Sequence, residues 1–454
     1  MRAMSDRGEW EEQLDSFDAT ERREALGRLA AEHGDALGPE GTNVNLHFHS
    51  FFSYNAEGYS PSHIAWEARK AGLYAAGLCD FDVLDGLEEF FEAGFTVGLR
   101  TTVHVETRVY LKEYAGVDIS SPGEPGVTYI MGAGFAGAPA EGTAQARELR
   151  GYRSRARERN IALVNRINGH LPDIALDYER DVLPLTPAGT ATERHIIEAY
   201  VNRARTVFAH PEQTAGFWSR VLDRDREETV ALMADRPALE EAVRARLVKR
   251  GGLGYEQPSP ETFPPAEEFI AWVRSCGAIP MIAWLDGTSP GEEDTHALLS
   301  CLTGKGAAAV NMIPDRNWNV ADPDTRRRKL AKLAEVVQAA SELGLPLNVG
   351  TEMNKKGLPF VDDLAVDALR PYRDVFLRGA RILVGHSLLL RFAGVSYVGE
   401  WAQAEFQSVA AKNDFFESVG GLPPLGSRVA RELEQSGRDA AWAWFRDAAG
   451  RRGT

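Results

Sequence analysis

Two histidines, His47 and His49, close the apolar run "NVNLHFH" and precede the polar loop "SFFSYNAEG". Side chains alternate along a strand, so both histidines point to the same side. Neutral imidazoles are common ligands of divalent metals, and two so placed make half of a metal site. We therefore predict that His47 and His49 bind a metal; the alternative is two unrelated polar residues that hydrogen-bond to neighbouring loops.

A carboxylate follows in the segment "TTVHVETRVYL", where His104, Glu106 and Arg108 share one face of a predicted strand. A buried carboxylate needs a cation or hydrogen-bond donors. Glu106 is therefore either a metal ligand or the ion-pair partner of Arg108, and we favour the ligand. His104 lies deeper along the strand and is interpreted as a core histidine.

Two more segments end with acidic residues. "LCDFDVLDG" carries Asp80 and Asp82 on one face, as a helix cap, a ligand or a general base, and we predict the pair as catalytic. One residue of register decides whether Phe81 or this pair faces the site. "VGTEMNKKG" carries Glu352, a candidate ligand, followed by Asn354, Lys355 and Lys356, which suit an anionic substrate.

Short apolar runs alternate with helical patterns before residue 140 and again after residue 262. This rhythm is typical of parallel strands joined by helices. About seven strands are clear, and "ARILVGHSL" is a weaker eighth candidate. A βα barrel explains the pattern best and a doubly wound open sheet is the alternative; in a barrel the carboxyl ends of the strands meet at one site.

Charged helical patterns without a convincing strand fill the interval between the two alternating regions. They predict a helical cap inserted into the barrel. The predicted organisation is an N-terminal helical arm (1–42), the first part of the barrel (43–139), the helical insertion (140–262), and the second part of the barrel with C-terminal helices (263–454).

The composition of the chain limits the classes of molecule that it is expected to bind. The chain has 454 residues and a formal net charge of -15, which argues against nucleic acid and anionic membranes. No run approaches the roughly 20 apolar residues of a membrane span, and the charged N-terminus does not resemble a signal peptide. The three cysteines are widely spaced and odd in number, which indicates reduced thiols. We expect a cytoplasmic protein with a small-molecule substrate; the oligomeric state stays open.

The stretch "NLHFHSFFSYNAEGYSPSHIAWEARKAGLYAAGLCDFDVLDG" resembles the opening pattern of the PHP (polymerase and histidinol phosphatase) family. "VHVETRV" is similar to the family's third-strand segment, "LNVGTEMN" falls where the family has "GSDxH", and "TERHIIEAYV" looks like a helix of the capped phosphoesterase branch. The resemblance runs in order over most of residues 43 to 354. It implies a distorted seven-stranded βα barrel, up to three metal ions and hydrolysis of phosphoesters.

Carried over position by position, the resemblance keeps His47, His49, Glu106 and Glu352 as metal ligands. Other residues stand at or near four positions where the family has histidine: Phe81, Tyr129, Trp284 and Asn354. The sequence therefore implies a reduced site with a single divalent ion of manganese, zinc or iron, held by those four residues or with Asp80 in place of Glu352. One ion suffices to activate water or polarise an oxygen.

We predict that an anionic or sugar-like substrate is contacted by polar and basic groups around the site. These groups are Tyr54, Asn55, Arg108, Arg194, His195, Asn354, Lys355, Lys356 and His386. His386 reaches the site only if its segment is a strand that ends at the barrel rim. The predicted activity is phosphoesterase-like hydrolysis. The alternatives are a metal-dependent lyase or isomerase acting on a sugar acid and a non-catalytic ligand-binding barrel.

Overall fold

Seven strands form a nearly closed barrel in the computed structural model, which describes residues 2–258 and 262–451. They are β1 (Val44–Phe48), β2 (Ala75–Phe81), β3 (Arg100–Tyr110), β4 (Val127–Ala133), β5 (Ile279–Trp284), β6 (Ala309–Met312) and β7 (Leu347–Val349). They pair in chain order, and a parallel bridge between Phe48 and Glu352 brings the end of β7 against β1. The predicted distorted TIM-like α/β barrel is confirmed.

β4 is the source of the distortion. It runs antiparallel to both β3 and β5, whereas the other neighbouring strands are parallel, so the expectation of uniformly parallel strands was wrong. The link between β3 and β4 contains one short 3₁₀ turn over Lys112–Tyr114 and no crossover helix, and an antiparallel pair needs no crossover. As a result, β4 enters at the barrel mouth and leaves at the opposite end.

Five helices follow β4 and account for the helical pattern in the sequence. They are α5 (Ala144–His170), α6 (Glu193–Val207), α7 (Pro211–Leu222), α8 (Arg226–Ala234) and α9 (Arg236–Leu247) when counted after the four helices that precede β4. α5 has 27 residues and spans about 40 Å at 1.5 Å per residue. It starts beside the C-terminal end of the helix before β5, where Trp272 Nε1 donates to the Gln145 carbonyl oxygen. Its Arg159 reaches the cavity at the mouth.

The remaining helices cover the barrel. Before β4 these are α1 (Arg2–Gln13), α2 (Ala19–His33), α3 (Pro61–Lys70) and α4 (Leu87–Val97); from the fifth strand region onward they are α10 (Ala266–Ser275), α11 (Thr295–Gly304), α12 (Asp315–Trp318), α13 (Pro323–Glu342), α14 (Arg373–Leu388), α15 (Glu400–Glu405), α16 (Val409–Gly420), α17 (Ser427–Ser436) and α18 (Arg438–Gly450). Met1, residues 259–261 and residues 452–454 fall within predicted domains but lie outside the described residues.

The weak eighth strand was a wrong prediction, because "ARILVGHSL" lies within α14. Nearly all of that segment is buried, and a continuous apolar run in a fully buried helix has the same composition as a buried strand. His386 therefore does not end a strand at the rim. Its Nδ1 accepts a hydrogen bond from the backbone of Tyr397 (3.1 Å), and burial lowers its pKa to about 3.

Two large apolar cores and a small cluster of Phe51, Phe52 and Val83 form among the described residues. The larger core joins the barrel strands to the surrounding helices and includes Leu46, Met131 and Phe376. The smaller of the two cores, around Tyr200 and Trp218, lies among the helices between β4 and β5. None of the helices in the described part of the chain is both long enough and apolar enough to cross a membrane.

Candidate metal centre

Three buried side chains meet inside the barrel. His47 and His49 come from β1 and the residue after it, and Glu106 comes from β3; their nearest ligand atoms all lie within 4.8 Å of one another. Each imidazole Nε2 lies 3.4 Å from Oε2 of Glu106. A register shift between Asn45 and Phe48 accompanies this arrangement on β1. Among residues 2–258 and 262–451 it is the one group of three or more such side chains that meets this distance limit.

These three atoms fit a divalent cation. His47 Nε2, His49 Nε2 and Glu106 Oε2 are fully buried, and no described residue makes a hydrogen bond with any of them. Unpartnered buried polar atoms are rare because they cost free energy, so three that converge at one point call for a common partner. Two imidazole nitrogens and one carboxylate oxygen suit zinc, manganese or iron.

Each imidazole is oriented through its other nitrogen. His47 Nδ1 lies 3.1 Å from Oδ1 of Asn311, which is an acceptor. His49 Nδ1 lies 3.3 Å from the Ser53 hydroxyl, which itself donates to Asp80 at 2.6 Å. Both contacts place a ring proton on Nδ1, so Nε2, which faces the centre, is the nitrogen available to a metal.

Charge interactions link the pKa of Glu106 to the two neighbouring histidines. Burial alone would raise the pKa of Glu106, but the charge interaction with His47 and His49 outweighs burial and lowers it well below the usual value. Burial likewise opposes a charge on His47, but Glu106 raises its pKa above the usual value. The carboxylate is therefore ionised at neutral pH, which is the form that binds a cation.

Glu352 lies beside this group. Its backbone closes the barrel, since its N–H donates to the His47 carbonyl oxygen (2.8 Å) and its carbonyl oxygen accepts from the His49 N–H (3.0 Å). Both Glu352 and Met353 have positive φ, which turns the chain sharply away from β7. The Glu352 carboxylate faces the cavity and pairs with Arg316 at 3.0 Å, so it is outside the three-residue group.

Asp80 and Asp82 lie in different environments. Asp80 accepts hydrogen bonds from the Ser50 N–H and the hydroxyls of Ser50 and Ser53, so it fixes the loop after β1 and does not line the cavity. Burial raises its pKa, and those serine donors offset part of the effect. Phe81 lies in the cavity wall and stacks on His49 with ring centroids 4.4 Å apart.

Asp82 follows the end of β2 and lines the cavity. Its φ of 60° lets both it and Phe81 face the same space, which strict alternation along a strand does not allow. Its N–H donates to the Glu106 carbonyl oxygen (2.9 Å), and its carboxylate accepts from Thr107 (2.6 Å). Burial raises the pKa of Asp82 and outweighs the opposing effect of Arg159.

The metal group opens into a cavity of about 930 Å³ between the barrel mouth and the helices after β4. Arg108, Arg159 and Arg194 line it, as do Tyr54, Asn354 and Lys355. Arg108 donates to Glu124 (2.7 Å), and Arg194 donates to Glu241 (2.5 Å). Arg159 is the least neutralised of the three, because its ion-pair distance to Asp82 is 3.8 Å.

Four of the predicted substrate-binding residues lie outside the cavity lining: Asn55, His195, Lys356 and His386. Asn55 clamps the loop after β1 by donating to the His49 carbonyl oxygen (2.7 Å), and Lys356 pairs with Glu57 at 2.5 Å. His195 is buried at the start of α6, where burial lowers its pKa to about 4 and its Nδ1 accepts from the Thr192 N–H (3.1 Å). It supports Tyr54 from behind, with ring centroids 5.1 Å apart.

Sequence reasoning missed three residues of the site: Asn311, Arg316 and Arg159. Asn311 follows the polar-in pattern of a barrel strand within "AAAVNMIP", a signal that could have identified it. Arg316 follows β6 directly, where barrel sites collect their residues. Arg159 belongs to a helix with many arginines, so nothing in the sequence distinguishes it from the solvated ones.

Comparison with known proteins found similar solved structures, but no family model and no curated protein that matches the sequence. One similar structure is described as a "putative metal-dependent phosphoesterase" from Bifidobacterium adolescentis (18% identity, TM-score 0.46), covering 75% of this chain and 98% of that one. Another is an amidohydrolase from Chromobacterium violaceum with bound sulfate and no metal (17% identity, TM-score 0.46), with coverages of 73% and 95%.

Proposed function

We propose that the protein is a metal-dependent hydrolase that acts on a small anionic substrate of the phosphoester class. The observation that carries the proposal is the convergence of three buried, unpartnered ligand atoms from His47, His49 and Glu106 at the wall of a large cavity. A barrel interior has no packing reason to gather two imidazoles and a carboxylate at one point. A single divalent ion held there lowers the pKa of water and polarises a substrate oxygen.

Asp82 is the proton acceptor in this proposal. Its carboxylate lines the cavity next to the metal group, with its backbone hydrogen-bonded to that of Glu106. The Thr107 hydroxyl donates to Oδ1 and holds the carboxylate in place, which leaves Oδ2 facing Arg159. Burial raises the pKa of Asp82 and so makes its carboxylate a stronger base, which can take a proton from an attacking water and return it to the leaving group.

The cations of the cavity bind the anionic end of the substrate. Arg159 is half-buried and still charged at neutral pH, because burial lowers its pKa only to about 10. Its Nη1 donates to the Thr262 carbonyl oxygen at 3.5 Å and its Nη2 lies 3.8 Å from Asp82, so the remaining guanidinium N–H groups can bind an incoming oxygen. Arg108 is paired with Glu124 and lines the same cavity. Lys355 adds a charge near the entrance.

We also propose that the chain is a divergent member of the PHP family, with the helices between residues 140 and 262 acting as a cap. The first motif supports this, since the residues that carry the resemblance, His47 and His49, are the ones that meet Glu106. The four departures from the family pattern support one metal ion in place of three, because the described residues form one three-ligand group.

The test is hydrolysis of p-nitrophenyl phosphate and bis(p-nitrophenyl) phosphate by protein stripped with chelator and then loaded with manganese, zinc or iron. We expect activity only in the loaded protein. An Asp82→Asn variant is expected to retain metal and to lose roughly 100-fold or more in kcat. A His170→Ala, His210→Ala double variant, which removes two exposed histidines, is the matched control and should behave as the parent.

Other outcomes would replace the proposal. Loaded protein that hydrolyses neither ester but isomerises or cleaves sugar acids would indicate the lyase or isomerase alternative. Loaded protein that binds phosphate and turns over none of these compounds would indicate a ligand-binding barrel. Both outcomes are compatible with the metal group but would contradict the proposed hydrolase activity.

A further inference from the structure

Asn311 on β6 occupies a position that the proposed reaction does not yet use. It is buried, lines the cavity, and faces the barrel interior beside Ala283 of β5 and Asn348 of β7, its register partners. Its Oδ1 lies 3.1 Å from Nδ1 of His47. The amide oxygen of Asn311 thus accepts a hydrogen bond from the proposed metal ligand His47.

The other end of the amide has no partner. Nδ2 of Asn311 is fully buried, and none of the described residues accepts a hydrogen bond from it. If the amide were turned round, Nδ2 would donate to His47 Nδ1 and the ring proton would move to Nε2, which would remove the lone pair that binds a metal. A buried N–H without an acceptor costs free energy, so an acceptor from outside the chain is expected.

We propose that Asn311 is both a positioning residue for His47 and a hydrogen-bond donor to an oxygen of the anionic group bound beside the metal. Oδ1 holds the His47 proton on Nδ1, and Nδ2 donates to the bound oxygen. This inference rests on the proposed function for its second half, since the oxygen belongs to the substrate. The first half concerns the metal-free protein and is independent of any activity.

The geometry favours this role because one amide both orients His47 and binds the ligand oxygen. A ligand oxygen that accepts from Nδ2 holds the amide in the orientation that keeps the His47 Nε2 lone pair directed to the metal. β6 is central in the sheet, paired with β5 and β7, so the amide sits on a fixed element and not on a loop.

Two substitutions separate the positioning role of Asn311 from its role as a hydrogen-bond donor. Asn311→Asp keeps an acceptor for His47 but replaces the donor with an oxygen that repels an anion. Asn311→Leu removes both with little change in volume. Asn348→Leu is the control, because Asn348 is the buried register partner on β7, does not line the cavity, and carries an unpartnered Oδ1 of its own.

The positioning half is measured by long-range ¹H–¹⁵N correlation on chelator-treated protein, with the His47 signals assigned from a His47→Asn variant. We expect a proton on Nδ1 in the parent, in Asn311→Asp and in Asn348→Leu, and a larger share of the form protonated on Nε2 alone in Asn311→Leu. Zinc affinity, measured against a chromophoric chelator, should fall roughly 10- to 100-fold in Asn311→Leu alone. An unchanged tautomer and zinc affinity in that variant would overturn the positioning role.

The donor half is measured by calorimetric titration of the zinc-loaded proteins with inorganic phosphate. We expect affinity to fall about tenfold or more in Asn311→Asp and to stay at the parent value in Asn348→Leu. Equal phosphate affinity in Asn311→Asp and the parent would overturn the donor role, and so would an equal loss in Asn348→Leu. A parent that binds no zinc would sink the proposed function, while the tautomer measurement would still decide the positioning role.

Discussion

Glu106 is the residue on which the site depends most. It supplies the carboxylate oxygen that both imidazoles face at 3.4 Å, and in the metal-free protein it is also the charge that raises the pKa of His47. Its position could be predicted from sequence, because strand alternation is a local rule and a carboxylate in an apolar run needs a cation. The roles of Asp80 and Asp82 could not, because the left-handed turn at Asp82 breaks that alternation.

Glu106→Gln tests this dependence. The amide keeps the shape but removes the charge, so zinc affinity is expected to fall at least about tenfold. Competition with a chromophoric chelator measures it. Gln substitution at Glu124, which pairs with Arg108 in the same cavity, is the control and should leave zinc affinity within about threefold of the parent. Equal affinity in Glu106→Gln and the parent would remove Glu106 from the ligand set.

Asp362 gives a pH-dependent prediction away from the metal group. It is buried with both carboxylate oxygens unpartnered among the described residues, and burial, with a smaller effect from Asp315, raises its pKa to about 8. The unfolded chain releases this proton near pH 3.8, so the folded state binds the extra proton between the two values. The free energy of unfolding should therefore fall as pH rises through that window, by up to about 1.4 kcal/mol per pH unit.

Asp362→Asn removes the titration and should be more stable than the parent at pH 8, with a smaller difference at pH 5. Urea unfolding at pH 5, 6, 7 and 8 measures this difference. A difference that does not change with pH would show that Asp362 titrates normally in the folded protein.

At the scale of elements, α14 shows what a sequence pattern leaves undetermined. Its apolar run is compatible with a buried strand or a buried helix. Two of its glycines allow close contact with elements that lie far away in the sequence. A methyl group at Gly379 would collide with the backbone of Leu347 on β7, and one at Gly385 would collide with the Phe416 carbonyl oxygen on α16. β4 is a similar case, since strand direction depends on its neighbours and not on its own residues.

Gly385→Ala tests the close packing of α14 against α16. Because the obstacle is backbone, the helices must separate, and we expect a loss of about 2 kcal/mol or more in the free energy of unfolding, measured with urea. Gly27→Ala is the matched control: this helical glycine in α2 has open space around it, so alanine should stabilise by about 0.5–1 kcal/mol. Similar stabilities for the two variants would contradict the packing of α14.

At the scale of the whole molecule, the antiparallel β4 explains how α5 comes to line the cavity. Because β4 leaves the barrel at the end opposite the mouth, α5 returns the chain along the outside and carries Arg155 and Arg159 above the site. Sequence analysis found the barrel and the helical interval, whose signals are local periodicities. It could not find which arginines face inward, because that depends on how the helices pack on the barrel.

Arg159→Met tests the contribution of α5. The apolar stem is kept and the charge is lost, so phosphate affinity of the zinc-loaded protein should fall about tenfold while zinc affinity stays unchanged. Arg150→Met is the control on the same helix, since Arg150 pairs with Glu141 at the surface. Calorimetric titration with phosphate measures both. Equal losses in the two variants would assign the effect to overall charge and not to the cavity.

The central claim is that His47, His49 and Glu106 hold one divalent ion, and elemental analysis of metal per chain tests it most directly. The protein should be purified without chelator or metal-affinity resin, beside a His47→Ala, His49→Ala double variant and the His170→Ala, His210→Ala control. We predict about one equivalent of manganese, zinc or iron in the parent and the control, and none in the double variant. No metal in the parent after incubation with each of these ions, or equal metal in the double variant, would contradict the account.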